Sequence, residues 1–315
     1  MYFPYLRGRQ NELLAVKELV ESKRLSSKVI PIIEPVRFST QFINLLKTLI
    51  EHNASATIIK NPQVGDYVVE ARQDGSGERL KAIRDAILSG TNFITAVISA
   101  PNAEESVNWL ISRGVDINDI MSICLNRDFI DNQLKIFGQQ SKYNVIPYDA
   151  SFRRIRGNRI QINDRFAPIK KERNVDYLSL QDEFFSDDHL FYKDDNYVGF
   201  SDYSIVGQDF QESGFAPYAV AIHIVYFDSD NILRIHHFVS DSNESMNDPA
   251  KKFYEAVSKL HKWNEDKKLN TLGIQAFEGL YEREAYPGLG VIKKLSIMHH
   301  LELMGNYLDN RRDEN

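Results

Sequence analysis

Val29-Ile30-Pro31-Ile32-Ile33-Glu34 is the stretch on which the fold turns, because Val145-Ile146-Pro147-Tyr148-Asp149 echoes it in the second half of the chain. Both are Val-Ile-Pro runs ending in a carboxylate, as two buried strands four positions apart in a doubled half-barrel would be. Proline removes a ladder hydrogen bond, so Pro31 and Pro147 belong at a bulge or a strand end. Working outward, apolar strand patterns recur at 2–6, 56–60, 93–99, 120–125, 177–180 and 197–200. Helical spacing separates most of them, at 11–22, 42–52, 78–88, 103–113 and 129–137. Strand–helix alternation implies parallel strands joined by right-handed crossovers. Eight such strands predict an α/β fold of the (β/α)8 TIM-barrel type over residues 1–205.

The last third changes character. Residues 156–163, and 218–227 with 232–240, read as antiparallel strands, the second pair turning at Asp228-Ser229-Asp230-Asn231. Helical patterns follow at 249–266 and 291–307, and the charged end 310–315 is expected to fray. Residues 206–315 are therefore an appended hairpin with C-terminal helices, packed on or completing the barrel as one compact unit.

Composition narrows the function classes. The chain has 315 residues, 44 acidic against 38 basic, a net charge of −6 and a single cysteine. One cysteine excludes a disulfide framework and a cysteine-based zinc site, and fits a reducing, cytoplasmic setting. No apolar run reaches the roughly 18 residues of a membrane span, and the opening Met1-Tyr2-Phe3-Pro4 lacks the pattern of a signal peptide. Mild acidity argues against non-specific binding to a phosphate backbone. The densest basic run is Arg153-Arg154-Ile155-Arg156-Gly157-Asn158-Arg159.

A parallel barrel carries its ligand site at the carboxyl ends of its strands. Those ends supply Glu34, Asp149 and Asp202 as candidate acids, and Arg7, Arg9, Lys60, Arg127 and Tyr203 as candidate ligand contacts. Both charge signs converging on one face suit a phosphorylated ligand, with cations neutralising the phosphate and a carboxylate acting as base. A divalent metal held by oxygen ligands would suit the same set. The competing reading is that these acids cap helices. In the hairpin, a four-residue loop pairing Phe227 with Ile232 sets His223 opposite His236, a two-imidazole candidate for a metal or a proton relay. Against it, Ile222, Ile224 and Ile235 can pack inward and leave the imidazoles on a polar face. Gly75-Ser76-Gly77 reads as an ordinary helix start, and Cys124 as inert core.

The opening Tyr2-Phe3-Pro4-Tyr5-Leu6-Arg7-Gly8-Arg9-Gln10-Asn11-Glu12-Leu13, the Ile30-Pro31-Ile32-Ile33-Glu34-Pro35 strand and Gly199-Phe200-Ser201-Asp202-Tyr203 resemble the beta-protein family of phages, prophages and bacterial genomic islands. Ala219-Val220-Ala221-Ile222-His223 and His237-Phe238-Val239-Ser240-Asp241 extend the likeness over most of the chain. The resemblance implies a barrel-like fold and a phage-defence or mobile-element setting, and assigns no residue a role. Two functions stay open. One is a hydrolase of phosphoesterase type acting on a nucleotide or nucleic-acid end. The other is a non-enzymatic sensor or assembly subunit working with an effector protein encoded nearby.

Overall fold

The computed structural model describes residues 1–73, 77–89, 92–210 and 217–311; Gly75-Ser76 and residues 312–315 of the charged end lie outside them. In chain order the strands are β1 (Tyr5–Leu6), β2 (Ile32–Ile33), β3 (Ala56–Ile59), β4 (Phe93–Ile98), β5 (Ile120–Ile123), β6 (Tyr143–Pro147), β7 (Arg159–Asn163), β8 (Asp182–Ser186), β9 (Gly199–Asp202), β10 (Ala221–Phe227) and β11 (Leu233–Val239). The helices are α1 (Gln10–Glu21), α2 (Thr40–Glu51), α3 (Tyr67–Gln73), α4 (Glu78–Ser89), α5 (Ala103–Ile111), α6 (Ile130–Phe137), α7 (Asp188–Phe191), α8 (Pro249–Lys267), α9 (Leu272–Glu282) and α10 (Leu289–Asn310).

Two compact units emerge. The first comprises 1–13, 27–163 and 188–203; the second comprises 14–26, 164–187 and 204–315. The boundary thus differs from the expected 205/206 division, because 164–187 joins the hairpin.

In the first unit β1 through β7 and then β9 form one parallel sheet in sequential order. Its ends meet at Tyr2, which bridges Val29 on one side and Phe200 on the other, while Phe3 N–H donates to the Phe200 carbonyl at 2.9 Å. The sheet is an eight-stranded barrel, nearly closed. Alternation fills the lumen: Ile94, Ala96 and Ile98 of β4 point inward, whereas Val97 packs outward against Val107, Leu110 and Phe137. The prolines sit where ladder chemistry allows, Pro147 as the last residue of β6 and Pro31 between the Val29 bridge and β2. Crossover helices are capped locally. Ser39 Oγ accepts from Phe42 N–H at 3.2 Å to start α2, and Gly138, at φ 57°, follows the end of α6.

The seventh barrel strand is a correction. Residues 177–180 are not a strand; Tyr177 and its neighbours form a 3-10 turn over Asn174–Ser179. Arg159–Asn163, read from the sequence as antiparallel, takes the place in parallel between β6 and β9. Ile160 and Ile162 fill the lumen, and the outward Gln161 donates its amide N–H to Asp188 at 2.8 Å.

The second unit holds an antiparallel sheet ordered β10–β11–β8 together with α8, α9 and α10. The hairpin register differs from expectation by one residue: Phe227 pairs Leu233, so His223 faces His237 and Ile224 faces His236. The cause lies in the turn. Asn231 N–H donates to the Asp228 carbonyl at 3.2 Å, Asn231 is left-handed at φ 61°, and Asp228 Oδ1 also accepts from Ile232 N–H at 2.9 Å. Ile232 is thereby drawn into the loop, which gains a residue. Helix α9 had no distinct sequence signal. Its Gly273 lets it lie on α10, since a Cβ there would fall 2.3 Å from the Leu295 carbonyl oxygen.

Candidate functional site

Strand alternation decides which candidates share a surface. On β1 and beyond, Tyr5 points into the lumen and so does Arg7; on β2 and beyond, Ile32 and Glu34 do; Tyr203 follows β9 on the same side. These residues meet at the carboxyl end of the barrel. Arg7 Nη1 donates to Glu34 Oε2 in a short ion pair, and the Tyr5 hydroxyl donates to the same oxygen at 2.8 Å. Glu34 Oε1 accepts the backbone N–H of Gln63 at 2.6 Å. Both oxygens of a fully buried carboxylate are therefore engaged. The guanidinium lies 5.2 Å from the Tyr5 ring centroid and 5.7 Å from that of Tyr203, with the two rings 5.1 Å apart. Burial alone would weaken the Arg7 charge, but Tyr5, Glu34 and Tyr203 more than compensate and raise its pKa. Burial, then the Glu34 carboxylate, holds the Tyr5 phenol well above its ordinary range. Gly8 makes this geometry possible. Its φ is 60°, and a Cβ would sit 2.7 Å from the Glu34 carbonyl oxygen.

The polar wall continues through Asn61, which exchanges 2.8 Å hydrogen bonds with the Ile98 backbone and donates to Asn102 at 3.1 Å. Polar groups thus come from the ends of β1 to β4. Leu125, after β5, and Ile162 of β7 pack with the apolar lumen instead. The mouth has a hydrogen-bonding side and an apolar side.

The other candidates go elsewhere. Asp202 is buried, but it lies on the outer face of β9, between the inward Ser201 and Tyr203, and accepts from the Tyr2 hydroxyl at 2.7 Å. Lys60 follows the inward Ile59 and turns outward, its ammonium 4.1 Å from the Trp109 ring centroid. Asp149 caps the 3-10 turn Ala150–Arg154 by accepting from Ser151 N–H at 2.7 Å. The Ser151 hydroxyl and N–H, helped by Arg127, hold its pKa below the ordinary value. Arg127 opens the exposed 3-10 turn Arg127–Phe129, and Arg9 directly precedes α1 at partial exposure. The expected trio of acids is therefore not assembled: one lies in the lumen, one on the outer face and one at a cap. In the basic run, Arg154 is paired with Asp131 at 2.6 Å, while Arg159 lies over Tyr197 and, with Tyr148 and Arg153, lines an outer-face cleft of about 350 Å³.

The histidine candidates are also rearranged. His223 Nδ1 and His237 Nδ1 are 2.7 Å apart, enclosed by Phe166 and Tyr177. His236 is on the opposite face, 3.0 Å from Asp182, which also accepts from Arg234 at 2.6 Å and Tyr226 at 2.7 Å. His223 and His236 thus cannot share a ligand, and among the described residues no group of three His, Cys, Asp or Glu could hold a metal ion. Both faces of the hairpin are covered rather than one being polar: Ile222 and Ile224 share a face with His236, and Ile235 shares the other with the histidine pair. Cys124 is fully buried, its thiol pushed up to about 11 by burial against an opposing Ser99 hydrogen bond. Among the described residues no helix is long and apolar enough to cross a membrane.

Tyr5 and Gln63 were missed as members of the site, whereas Asn61 was legible as a strand-end residue after β3. Tyr5 was legible, standing two residues before Arg7 on the same face of a strand. Gln63 acts through a loop backbone N–H that no spacing rule reveals. No family model, no curated protein and no solved structure matches the chain.

Proposed function

We propose that the barrel mouth recognises a phosphorylated ligand of the nucleotide class, and that the chain serves as a sensor or assembly subunit beside a separate effector, in the phage-defence setting its family resemblance implies. The observation carrying this reading is Arg7: a guanidinium held in place by Glu34 and two tyrosine rings, with the other two expected acids, Asp149 and Asp202, placed elsewhere. A planar guanidinium suits bidentate pairing with phosphate, and the apolar side at Leu125 and Ile162 suits a base. Glu34, saturated by three donors, serves as a positioning group rather than a base.

Calorimetric titration with inorganic phosphate and nucleoside mono-, di- and triphosphates tests this. Arg7→Lys keeps the charge and loses the fork, so nucleotide affinity should fall by about tenfold or more. Asp149→Asn and Asp202→Asn should bind as the parent does. Unchanged affinity in Arg7→Lys overturns the recognition reading. Phosphate release that depends on Asp149 or Asp202 would establish the hydrolase instead.

A further inference from the structure

Outside the lumen, the outward face of β3 opens onto a cavity of about 260 Å³ beneath α3, α4 and α5. Ile58, Ile83, Ile87 and Leu110 give it aliphatic walls, and Lys60, Arg72 and Arg84, the last paired with Asp85 at 3.1 Å, line it as well. The alternation that sends Ile59 into the lumen sends Ile58 and Lys60 here. Lys60 stands at the opening, exposed on one side and packed by its ammonium over Trp109 on the other. Partial burial lowers its pKa, and Glu105 only partly offsets this. Among the described residues Lys60 makes no ion pair. Val68, 40% exposed, adds an apolar lip beside it.

We infer that this cavity binds a small amphipathic monocarboxylate, its tail among the aliphatic side chains and its carboxylate on Lys60. A largely aliphatic chamber with Lys60 seated over Trp109, Arg72 exposed and Arg84 already paired with Asp85 matches an amphipathic anion. A neutral hydrocarbon would give the ammonium no counter-charge, and a polyanion would bring charge against the aliphatic walls. The volume sets the length. An apolar cavity of about 150 Å³ holds benzene, and drug-sized ligands begin near 300 Å³, so the tail is of roughly eight carbons. A charge-assisted contact at a half-screened site should favour acid over alcohol by about tenfold. The site is separate from the mouth and does not depend on what binds at Arg7.

Titration of the full chain with octanoate, butyrate and 1-octanol provides the test, followed by calorimetry and by Trp109 fluorescence in a Trp263→Phe background. Octanoate should bind saturably, about tenfold tighter than octanol and far tighter than butyrate. Lys60→Met should remove the preference for octanoate over octanol while keeping octanol binding, and Val68→Trp should weaken both by obstructing the lip. Arg7→Lys should leave octanoate binding as it was. Absence of saturable octanoate binding, equal affinity for octanoate and octanol, or an unchanged preference in Lys60→Met would overturn the inference.

Discussion

Replacing Glu34 by alanine should unfold the barrel more readily rather than simply silence it. The carboxylate is fully buried and takes hydrogen bonds from Tyr5, Arg7 and the Gln63 backbone. Its removal leaves a nearly buried guanidinium without its carboxylate and a buried phenol without its acceptor. Breaking one side of a buried ion pair costs about 3–5 kcal/mol, a range that already covers the group left unpaired. At roughly 2–4 °C per kcal/mol, the barrel's melting temperature should fall by about 6–20 °C. Trp109 lies in the first unit and Trp263 in the second, so urea and thermal unfolding of a Trp263→Phe protein reports on the barrel. Tyr5→Phe, which removes only the hydroxyl, should cost about 1 kcal/mol. The double variant Arg7→Met/Glu34→Leu should recover most of the loss, because apolar replacement of a whole buried pair is often close to neutral. A Glu34→Ala protein within about 1 kcal/mol of the parent would refute the reasoning, as would a double variant no better than the sum of its single changes.

Three further outcomes follow from the same geometry. Gly8→Ala should destabilise the barrel by more than about 2 kcal/mol in urea unfolding, since it places a side chain at φ 60° and a Cβ 2.7 Å from the Glu34 carbonyl oxygen. Asp149→Ala should cost about 1 kcal/mol through the lost cap and leave nucleotide affinity unaltered by calorimetry; a tenfold loss of affinity would return Asp149 to the site. The second unit should weaken in mild acid. Burial, with His236 and Lys171 adding to it and Asp182 opposing, pushes His237 down to about 3; burial, His237 and Lys293 lower His223 as well. The unfolded chain, with histidines near 6.5, binds protons first, so stability present at pH 7 is lost as the pH falls from about 6.5 toward 3, at up to about 1.4 kcal/mol per pH unit for each histidine. Trp263 fluorescence in a Trp109→Phe background should show the urea midpoint dropping between pH 7 and 5, with a shallower drop in His223→Phe/His237→Phe; equal drops would mean that these imidazoles are not the cause.

The barrel was legible because period-2 and period-3.6 patterns are local properties of the chain. The Val-Ile-Pro runs, the crossover helices and the placing of both prolines at interruptions all follow from that. The same alternation carries enough information to part Arg7 and Glu34 from Lys60 and Asp202, since neighbours on a strand face opposite ways.

Other features had no local signature. Arg159–Asn163 and residues 177–180 are both plausible strands in isolation, and only the vacancy between β6 and β9 selects the first. The hairpin register depended on one residue entering the turn, a choice made by the Asp228 carboxylate and a left-handed Asn231. The saturation of Glu34 required a backbone N–H from Gln63, 29 residues away. Local periodicity determines what each segment becomes and which of its side chains face the same way. Which buried polar groups then satisfy one another is decided by residues distant along the chain, because a desolvated carboxylate or guanidinium persists only where the completed fold brings its partners.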